Sequence, residues 1–277
     1  MESQEFQLPV QLYLNRIDYE GDTTPNLENL NSLIQHHVSA IPFENVDVLN
    51  HKVIDLSLEV LSQKVLLNGR GGYCFELNTL FEALLRELGY TVKSYSARVI
   101  YGHPPSVIRP RTHKVLMVPL KDKEWLVDVT FGAARFTKAI EWKESESTDK
   151  NLKITEQEDD FLLQTYFTGQ WLNVYRFDKF PMLPIDYEVA NFYTSTYPGS
   201  PFRHRLSVNI VEGEKSHILT GCEYTIVENH VAIKSPITNR DQILQLLRDV
   251  FKINVTTQDL DFFNSDYIDS NMEKANR

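Results

Sequence analysis

The chain opens with apolar residues that recur three or four positions apart, the spacing of an amphipathic helix. One helix is predicted to end before Pro42, a second to stop at Gly69, and a third to run from about Cys74 to Gly89. Their apolar positions are Leu27, Leu30, Leu33 and Ile34; Leu58, Leu61, Val65 and Leu66; and Leu77, Leu80, Phe81, Leu84, Leu85 and Leu88. The first ninety or so residues are therefore predicted to be mostly helical.

After about residue 90 the pattern changes to short segments rich in β-branched and aromatic residues. TVKSYSARVIYG, THKVLMVPL and EWLVDVTFG are separated by clusters of Pro, Lys and Asp, and they are predicted to be antiparallel strands. FLLQTYF and WLNVYRFD have the same character and are predicted to return to that sheet. The polar stretch before them, KESESTDKNLKITEQEDD, is predicted to loop out as a solvated insertion.

The last third of the chain mixes strands with one helix. LPIDYEVANFYTSTYPGSPF is predicted to be a long, turn-rich connection, and LSVNIVEG, HILTGCEYTIVE and HVAIKS to be strands with a turn at 228–229. TNRDQILQLLRDVF is predicted to be a capped amphipathic helix. Helices, then strands, then a small mixed end indicate an α+β protein with domains at 1–90, 91–190 and 191–277.

Composition narrows the class of function. Of 277 residues 42% are hydrophobic, enough for a core, and the net charge of −10 disfavours nucleic acid, which needs clustered Lys and Arg. The sequence contains no run of about eighteen apolar residues, so no membrane span is expected, and the acidic start lacks the features of a signal peptide. Two distant cysteines, Cys74 and Cys222, form no disulfide scaffold, so a reducing cytoplasm is expected.

Cys74 stands directly after two glycines, in GRGGYCFELN, at the predicted start of the third helix. Unpaired N–H groups and the positive end of the helix dipole favour a thiolate at that position. Gly71 and Gly72 are expected to allow a sharp turn and to leave room for a substrate, and Arg70 to add positive charge. Cys74 is a candidate nucleophile, with a small buried hydrophobic residue as the alternative. Cys222, in a predicted strand, is interpreted as structural.

A nucleophilic thiol needs a base, and the base needs a group that orients it. His113 begins one predicted strand, and Asp128 lies between two valines in the next. A tight turn at 121–122 would place His113 and Asp128 on one face as diagonal neighbours, whereas a one-residue slip would separate them. These residues predict a Cys–His–Asp triad. A phosphate loop or a zinc site is disfavoured, because a P-loop lysine and paired CxxC or HxxxH spacing are absent.

Five segments together resemble the arylamine N-acetyltransferase family. They are IPFENV at 41–46, RGGYCFELN at 70–78, THKVLMV at 112–118, WLVDVTFG at 125–132 and NFYTSTYPGSPF at 191–202, in the family's order. The resemblance implies a helical bundle, an antiparallel β-barrel and a C-terminal α/β lid, with a cysteine-proteinase-like triad of Cys74, His113 and Asp128. It also implies ping-pong transfer of an acetyl group from acetyl-CoA to small aromatic amines, hydrazines or hydroxylamines, with no tightly bound cofactor or metal.

The resemblance assigns further residues around the thiol. Its supporting residues are Arg70, Gly71, Gly72 and Asn78, and its pocket residues are Phe43, Val99, Phe131, Phe202 and Thr130. Thr130 replaces a glycine that is common in the family, and Tyr197 replaces a frequent histidine. A β-branched residue at 130 is expected to restrict the backbone and narrow the approach to the thiol. Arg203 and Arg205 are candidates for CoA phosphates, with plain surface charge as the alternative.

Two other functions would use the same residues. A cysteine hydrolase or amidase would pass the acyl group to water, and a weakly active homologue would keep the pocket but turn over slowly because of Thr130. His113 follows Cys74 by about forty positions, unlike the spacing in papain-like enzymes or the order in caspases. The chain is expected to be a monomer or weak homo-oligomer, with no nucleic-acid or membrane partner.

Overall fold

The computed structural model describes residues 6–104, 107–131, 136–142, 151–167, 169–229 and 231–275. Helices come first, antiparallel strands next and a mixed unit last, so the predicted α+β class is confirmed. The helices are α1 Val10–Arg16, α2 Leu27–Ala40, α3 Val46–Leu49, α4 Leu58–Leu61, α5 Cys74–Glu87, α6 Pro184–Thr196, α7 Arg240–Gln245 and α8 Ser265–Ala275. The strands are β1 Phe43–Glu44, β2 Lys93–Val99, β3 His113–Leu120, β4 Lys123–Val127, β5 Ile140–Glu141, β6 Leu152–Glu156, β7 Phe161–Phe167, β8 Gln170–Pro181, β9 Ser207–Glu212, β10 Lys215–Thr220, β11 Glu223–Glu228 and β12 Val231–Pro236.

The three helices predicted near the N-terminus are confirmed, and local signals account for their ends. The Asn26 side chain accepts a hydrogen bond from the N–H of Asn29 (2.8 Å) and so caps α2. The second predicted helix is α4 together with a π-helical stretch, Ser62–Leu67. Gly69 (φ 64°) follows that stretch and Gly89 (φ 88°) follows α5, both in the left-handed region that favours glycine.

A seven-stranded antiparallel sheet occupies the middle of the chain, in the order β5-β4-β3-β2-β8-β7-β6. Its two edge strands, β5 and β6, approach each other, so the sheet is a nearly closed barrel. β3 is buried on both faces: Val115 and Met117 belong to the barrel core, whereas Leu116 and Val118 pack into the core of the helical part. This strand therefore joins the helices to the barrel.

The predicted hairpin between β3 and β4 is also confirmed. Leu120 pairs with Lys123, and the register continues without a slip to Leu116 opposite Val127. Lys121 turns the chain with a φ of 55°. Continued by one residue, this register places Asp128 on the barrel-facing side of the hairpin, the side from which His113 projects.

A five-stranded antiparallel sheet, β1-β9-β10-β11-β12, forms the C-terminal part with α7 and α8. Its edge strand β1 comes from the N-terminal part, and Val46 and Leu49 enter its apolar core. The three parts thus share elements and core residues. The domain boundaries at 90 and 190 stay a prediction.

The connection predicted within 183–202 is wrong, because most of it is the helix α6. Pro184 occupies the first helical position, where its missing N–H costs nothing, and the Asp186 carboxylate accepts a hydrogen bond from the N–H of Leu183 (2.9 Å). Tyr197 ends the helix directly before a proline. The aromatic and β-branched content of the segment concealed these start and stop signals.

One strand prediction and one loop prediction also need correction. HILTGCEYTIVE is two strands, β10 and β11, because Gly221 (φ 60°) reverses the chain, and Cys222 lies in that turn instead of in a strand. The polar segment predicted to loop out contains β6, which pairs with β7. Residues 143–150 of that segment lie outside the described residues. In the described parts of the chain no helix is both long and apolar enough to cross a membrane.

A buried histidine lies in the helical core. The side chain of His37 has no solvent exposure, and its Nδ1 shares a hydrogen bond with the Tyr13 hydroxyl (2.6 Å). Nε2 has no hydrogen-bond partner among the described residues. Burial, and then the positive charge of Arg16, lower the pKa of His37 to about 3.

We expect acid to destabilise the fold through His37. The unfolded chain has a histidine pKa of about 6.5, so it binds the proton first, and the stability that neutral His37 contributes is lost as pH falls from 6.5 toward 3. At pH 5 the free energy of unfolding should be about 2 kcal/mol lower than at pH 7 from this group alone. Urea denaturation at both pH values measures it. His37→Gln should remove this part of the pH dependence, and His103→Gln, in an exposed loop, should retain it. If the free energy of unfolding changes equally with pH in the parent and in His37→Gln, His37 is excluded as the cause.

Candidate active site

Cys74 is the first residue of α5, and 3% of it is exposed. Its backbone N–H has no partner within the helix, as for every first-turn position. The Glu76 carboxylate accepts a hydrogen bond from the N–H of Tyr73 (2.9 Å), which fixes the turn into the helix. The Tyr73 hydroxyl donates to the side-chain oxygen of Asn191 on α6. The nucleophile candidate is therefore held from both sides.

The two glycines before Cys74 have a different role from the one expected. Neither has a positive φ, so conformational freedom is not what the site uses. A Cβ on Gly71 would collide with the carbonyl oxygen of Pro42, and a Cβ on Gly72 would lie only 3.0 Å from Glu76. The loop runs beside β1, where the N–H of Glu44 donates to the carbonyl of Gly72 (2.9 Å). Glycine is needed at 71 because two backbone segments pack directly together, and it is favoured at 72 because the Glu76 side chain lies against the loop.

Five charged side chains form a buried network behind this loop. Arg70 donates to Glu44 through Nε (3.0 Å) and Nη2 (2.7 Å), and Nη2 lies 3.4 Å from Asp47. The ammonium of Lys64 lies 2.7 Å from both Asp47 and Glu76. Arg70 is thus neutralised by carboxylates, so it does not supply the free positive charge that was expected beside the thiol. The network instead ties the loop to β1, α3 and the start of α5.

His113 and Asp128 meet as the predicted register requires. His113 Nε2 lies 2.6 Å from Asp128 Oδ2, with both side chains nearly or fully excluded from solvent. Burial would lower the pKa of His113, but the Asp128 carboxylate and then the nearby Cys74 thiol raise that pKa to about 10. Sγ of Cys74 also lies 3.6 Å from the carbonyl oxygen of Thr112. The three candidate residues are therefore neighbours.

The second oxygen of Asp128 accepts three hydrogen bonds. They come to Oδ1 from the N–H of Thr130 (3.0 Å), the hydroxyl of Thr130 (2.7 Å) and the amide of Asn78 (3.1 Å). Burial raises the pKa of Asp128, but the charge of His113 and these hydrogen bonds outweigh it and lower the pKa. Asn78 also donates to the Lys114 carbonyl (2.7 Å) and so ties α5 to β3. Asn78, expected only as a supporting residue, joins the helix to both strands.

Aromatic side chains surround the thiol and the imidazole. Phe43 belongs to the same buried cluster as Cys74, and Phe202 packs against that cluster with its ring 6.0 Å from that of Phe43. The edge of Phe131 meets the ring of His113 at 5.6 Å. Phe43 and Phe131 also line one small cavity. Three of the predicted pocket residues thus lie around the candidate triad.

Other predicted residues have different surroundings. Val99 pairs across the sheet with Tyr175, whose ring lies 5.2 Å from that of His113, so Val99 is one strand away from the triad. Thr130 is 3% exposed and its hydroxyl is directed at Asp128, so the contact that the structure gives it is to the carboxylate. Tyr197 stacks on Tyr193 at 4.8 Å. A role of these residues toward a substrate stays a prediction, as does a role of Arg203 and Arg205 toward CoA phosphates.

Comparison with known proteins identifies the family of the chain. The sequence model of the N-acetyltransferase family matches residues 26–260. The arylamine N-acetyltransferase of Escherichia coli strain K12 is 36% identical over 227 residues, which cover 80% of each chain. The chain belongs to the arylamine N-acetyltransferase family. A Salmonella typhimurium member, named arylamine N-acetyltransferase / N-hydroxyarylamine O-acetyltransferase, is 33% identical over 88% of each chain.

Solved structures of arylamine N-acetyltransferases share the whole fold. The Mycobacterium tuberculosis enzyme superposes with a TM-score of 0.87 at 30% identity, covering 96% of this chain and 99% of its own. The Mycobacterium marinum enzyme, solved in complex with CoA, superposes with a TM-score of 0.88 at 30% identity, covering 95% and 99%. The helical part, the barrel and the C-terminal α/β part implied by the resemblance are all present in this family member.

Several residues that build the site were not found from the sequence. Glu76 stands three positions after Tyr73, the spacing of a capping box, but a tyrosine at the cap does not suggest one. Tyr175 and Phe177 lie two positions apart on β8 and both face the barrel core. The two-residue periodicity of a strand predicts that such residues share a face. Lys64 and Asp47 carry no local signal, because only the tertiary fold brings them together. In the described ranges no group of three or more His, Cys, Asp or Glu side chains is placed to hold a metal ion.

Arg70→Met is expected to test the buried charge network. The substitution leaves the fully buried Glu44 without its guanidinium, so the free energy of unfolding should fall by roughly 3–5 kcal/mol. Lys123→Met, which removes a largely exposed partner of Glu141, should cost less than about 1 kcal/mol. Urea denaturation followed by circular dichroism measures both. Adding Glu44→Gln to Arg70→Met should recover part of the loss, and equal effects of the two single variants would contradict this account.

Proposed function

We propose that this chain transfers an acetyl group from acetyl-CoA to the nitrogen of small aromatic amines, hydrazines or hydroxylamines through an acetyl-Cys74 intermediate. Membership of the arylamine N-acetyltransferase family supports the reaction class. The observation that carries the assignment of residues is the buried contact of His113 Nε2 with Asp128, 2.6 Å, together with the position of the Cys74 thiol beside the backbone of Thr112, the residue before His113. A thiol, an imidazole and a carboxylate in this order form a nucleophile, its base and the group that orients the base.

In the first half-reaction, His113 takes the proton of the Cys74 thiol and the thiolate attacks the thioester carbonyl of acetyl-CoA. Asp128 holds the ring in one tautomer and stabilises the imidazolium, since its Oδ2 is bonded to Nε2. The backbone N–H of Cys74, at the start of α5, is the proposed donor to the oxyanion. The intermediate collapses as the bond to the CoA sulfur breaks, and the CoA thiolate leaves with the proton of His113.

In the second half-reaction, the amine attacks the carbonyl of acetyl-Cys74. His113, now neutral, takes a proton from the attacking nitrogen, and the tetrahedral intermediate collapses with return of that proton to the sulfur of Cys74. Acetylated amine leaves and the enzyme is regenerated. The two half-reactions use the same base and the same sulfur, as ping-pong kinetics requires.

The aromatic surroundings favour a transferase over a hydrolase. Rings of Phe43, Phe131 and Phe202 surround a thiol of which only a small fraction is exposed, and an apolar site disfavours water as the acceptor. A flat aromatic amine suits such surroundings, because ring faces and edges pack well against each other. Both cysteines are free, and we infer a reducing compartment such as the cytoplasm.

Intact-mass spectrometry is the direct test of the transfer. Mixed with acetyl-CoA, the parent chain should gain one acetyl group and Cys74→Ala should gain none, because the sulfur is the acceptor. Adding a simple arylamine such as aniline should remove the acetyl group and produce acetylated amine. Cys222→Ala, the matched cysteine control, should behave as the parent does. Loss of the acetyl group at the same rate without amine would instead establish a hydrolase.

Asp128→Asn tests the role of the carboxylate. Without its charge the pKa of His113 loses the largest contribution that raises it, so the ring is a poorer partner for the thiolate, and acetyl transfer should fall by roughly 100-fold or more. Steady-state rates at saturating acetyl-CoA measure the effect. Asp122→Asn, in the exposed turn of the same hairpin, should keep the parental rate. Parental activity of a correctly folded Asp128→Asn would remove Asp128 from the proposed triad.

A further inference from the structure

Thr130 donates two hydrogen bonds to one carboxylate oxygen, an arrangement that a glycine at this position does not offer. Its N–H lies 3.0 Å and its Oγ1 2.7 Å from Asp128 Oδ1. The backbone bond would survive replacement by glycine, but the hydroxyl bond would not. The side chain is 3% exposed, so the hydroxyl is not shared with solvent. Thr130 thus contacts the candidate triad directly.

We propose that Thr130 is a positioning residue that holds Asp128 in the orientation His113 needs. A carboxylate at the end of a side chain turns easily unless both oxygens are bonded. Oδ2 of Asp128 has His113 as its partner, and Oδ1 is held by Thr130 and by Asn78. The shortest of the three hydrogen bonds to Oδ1 is the one from the Thr130 hydroxyl. This proposal deepens the proposed function and rests on the triad of Cys74, His113 and Asp128.

The hydroxyl and Asn78 are not interchangeable. Asn78 belongs to α5, and its amide also donates to the carbonyl of Lys114, so its position follows the packing of the helix. Thr130 lies two residues after Asp128 in the same segment and moves with it. Its hydroxyl therefore orients the carboxylate from within the same segment, and the Asn78 amide, which also lies 3.3 Å from Thr130 Oγ1, links that hydroxyl to α5. If Thr130 instead narrows the approach to the thiol, replacing it by glycine should increase the rate, whereas a positioning role predicts that the rate falls. The two hypotheses can therefore be separated by experiment.

The groups that titrate around Asp128 come from three elements. They are His113 on β3, Cys74 on α5 and Tyr175 on β8, whose hydroxyl is buried beside Asp128. If the hydroxyl of Thr130 is lost, the carboxylate turns away from His113 and the imidazolium loses part of its stabilisation. The thiolate–imidazolium pair should then form only at higher pH. This shift is a signature that a merely structural role of Thr130 would not produce.

Three variants separate the hydroxyl from the shape of the side chain. Thr130→Val keeps the branching but lacks the hydroxyl, Thr130→Ser keeps the hydroxyl, and Thr130→Gly removes the side chain. Thr225→Val, in the five-stranded sheet, is the control for an ordinary Thr→Val change. Circular dichroism melting first establishes that each variant is folded. The rate of Cys74 alkylation by iodoacetamide from pH 5 to 10 then reports on the thiolate without acetyl-CoA or amine.

The expected result follows the hydroxyl. Thr130→Val and Thr130→Gly should lower the rate of Cys74 acetylation by roughly 10-fold or more, the effect of losing one hydrogen bond to a charged group, and leave the KM for aniline within about twofold. Their alkylation profiles should move up by about one pH unit, whereas Thr130→Ser and Thr225→Val should stay within about threefold of the parent.

Three outcomes would overturn the proposal. The first is a parental rate and pH profile in Thr130→Val. The second is a Thr130→Gly variant faster than the parent, which would show steric restriction instead. The third is an alkylation profile that moves to lower pH, which would mean that the hydroxyl weakens the effect of Asp128 instead of orienting it. Because alkylation requires no acyl donor, these outcomes stay distinct from a failure of acetyl transfer itself.

Discussion

The buried charge of Asp128 is the constraint on which the rest of the site depends. A carboxylate without solvent is stable only if its charge is compensated and its oxygens are hydrogen-bonded. The fold meets this requirement from three directions, with His113 from β3, Asn78 from α5 and Thr130 from the segment that follows β4. Each donor needs its element in register, so the helical part and the barrel must be packed correctly before the charge is tolerated. The packing that stabilises the fold around Asp128 is therefore the same packing that positions the candidate site.

A second group of buried charges fixes the nucleophile. Lys64 and Arg70 lie among Glu44, Asp47 and Glu76, and each of these side chains is held by at least one opposite charge. The effect is local and geometric: Glu76 also receives the N–H of Tyr73 and so determines where α5 begins. Close packing of the glycine loop on β1 completes the position of the sulfur. A flexible loop would allow the position of Cys74 to vary relative to the ring of His113.

The sequence contained the local parts of this site and lacked its tertiary parts. The register between His113 and Asp128 followed from one turn at 121–122, because strand periodicity is fixed once the turn is placed. The start of α5 at Cys74 followed from helix signals and apolar spacing. Glycine at 71 was correctly singled out but for the wrong reason, since the contact that requires it comes from Pro42, about thirty residues away. α6 was missed because its cap signals lie within a segment whose aromatic residues are more typical of strands and turns.

The hydrogen bonds of Asp128 have a consequence for the movement of protons. Oδ1 already receives three donors and Oδ2 is bonded to Nε2 of His113, while the side chain has no exposed surface. Both oxygens of the carboxylate are therefore occupied, and Asp128 itself has no surface open to solvent. In the proposed cycle every proton must enter and leave through the other ring nitrogen, on the side of the sulfur. The proton that the thiol gives up then leaves only with CoA, and the proton that restores the thiol arrives only with the amine. Proton transfer at His113 is therefore coupled to the order in which the two substrates bind and leave.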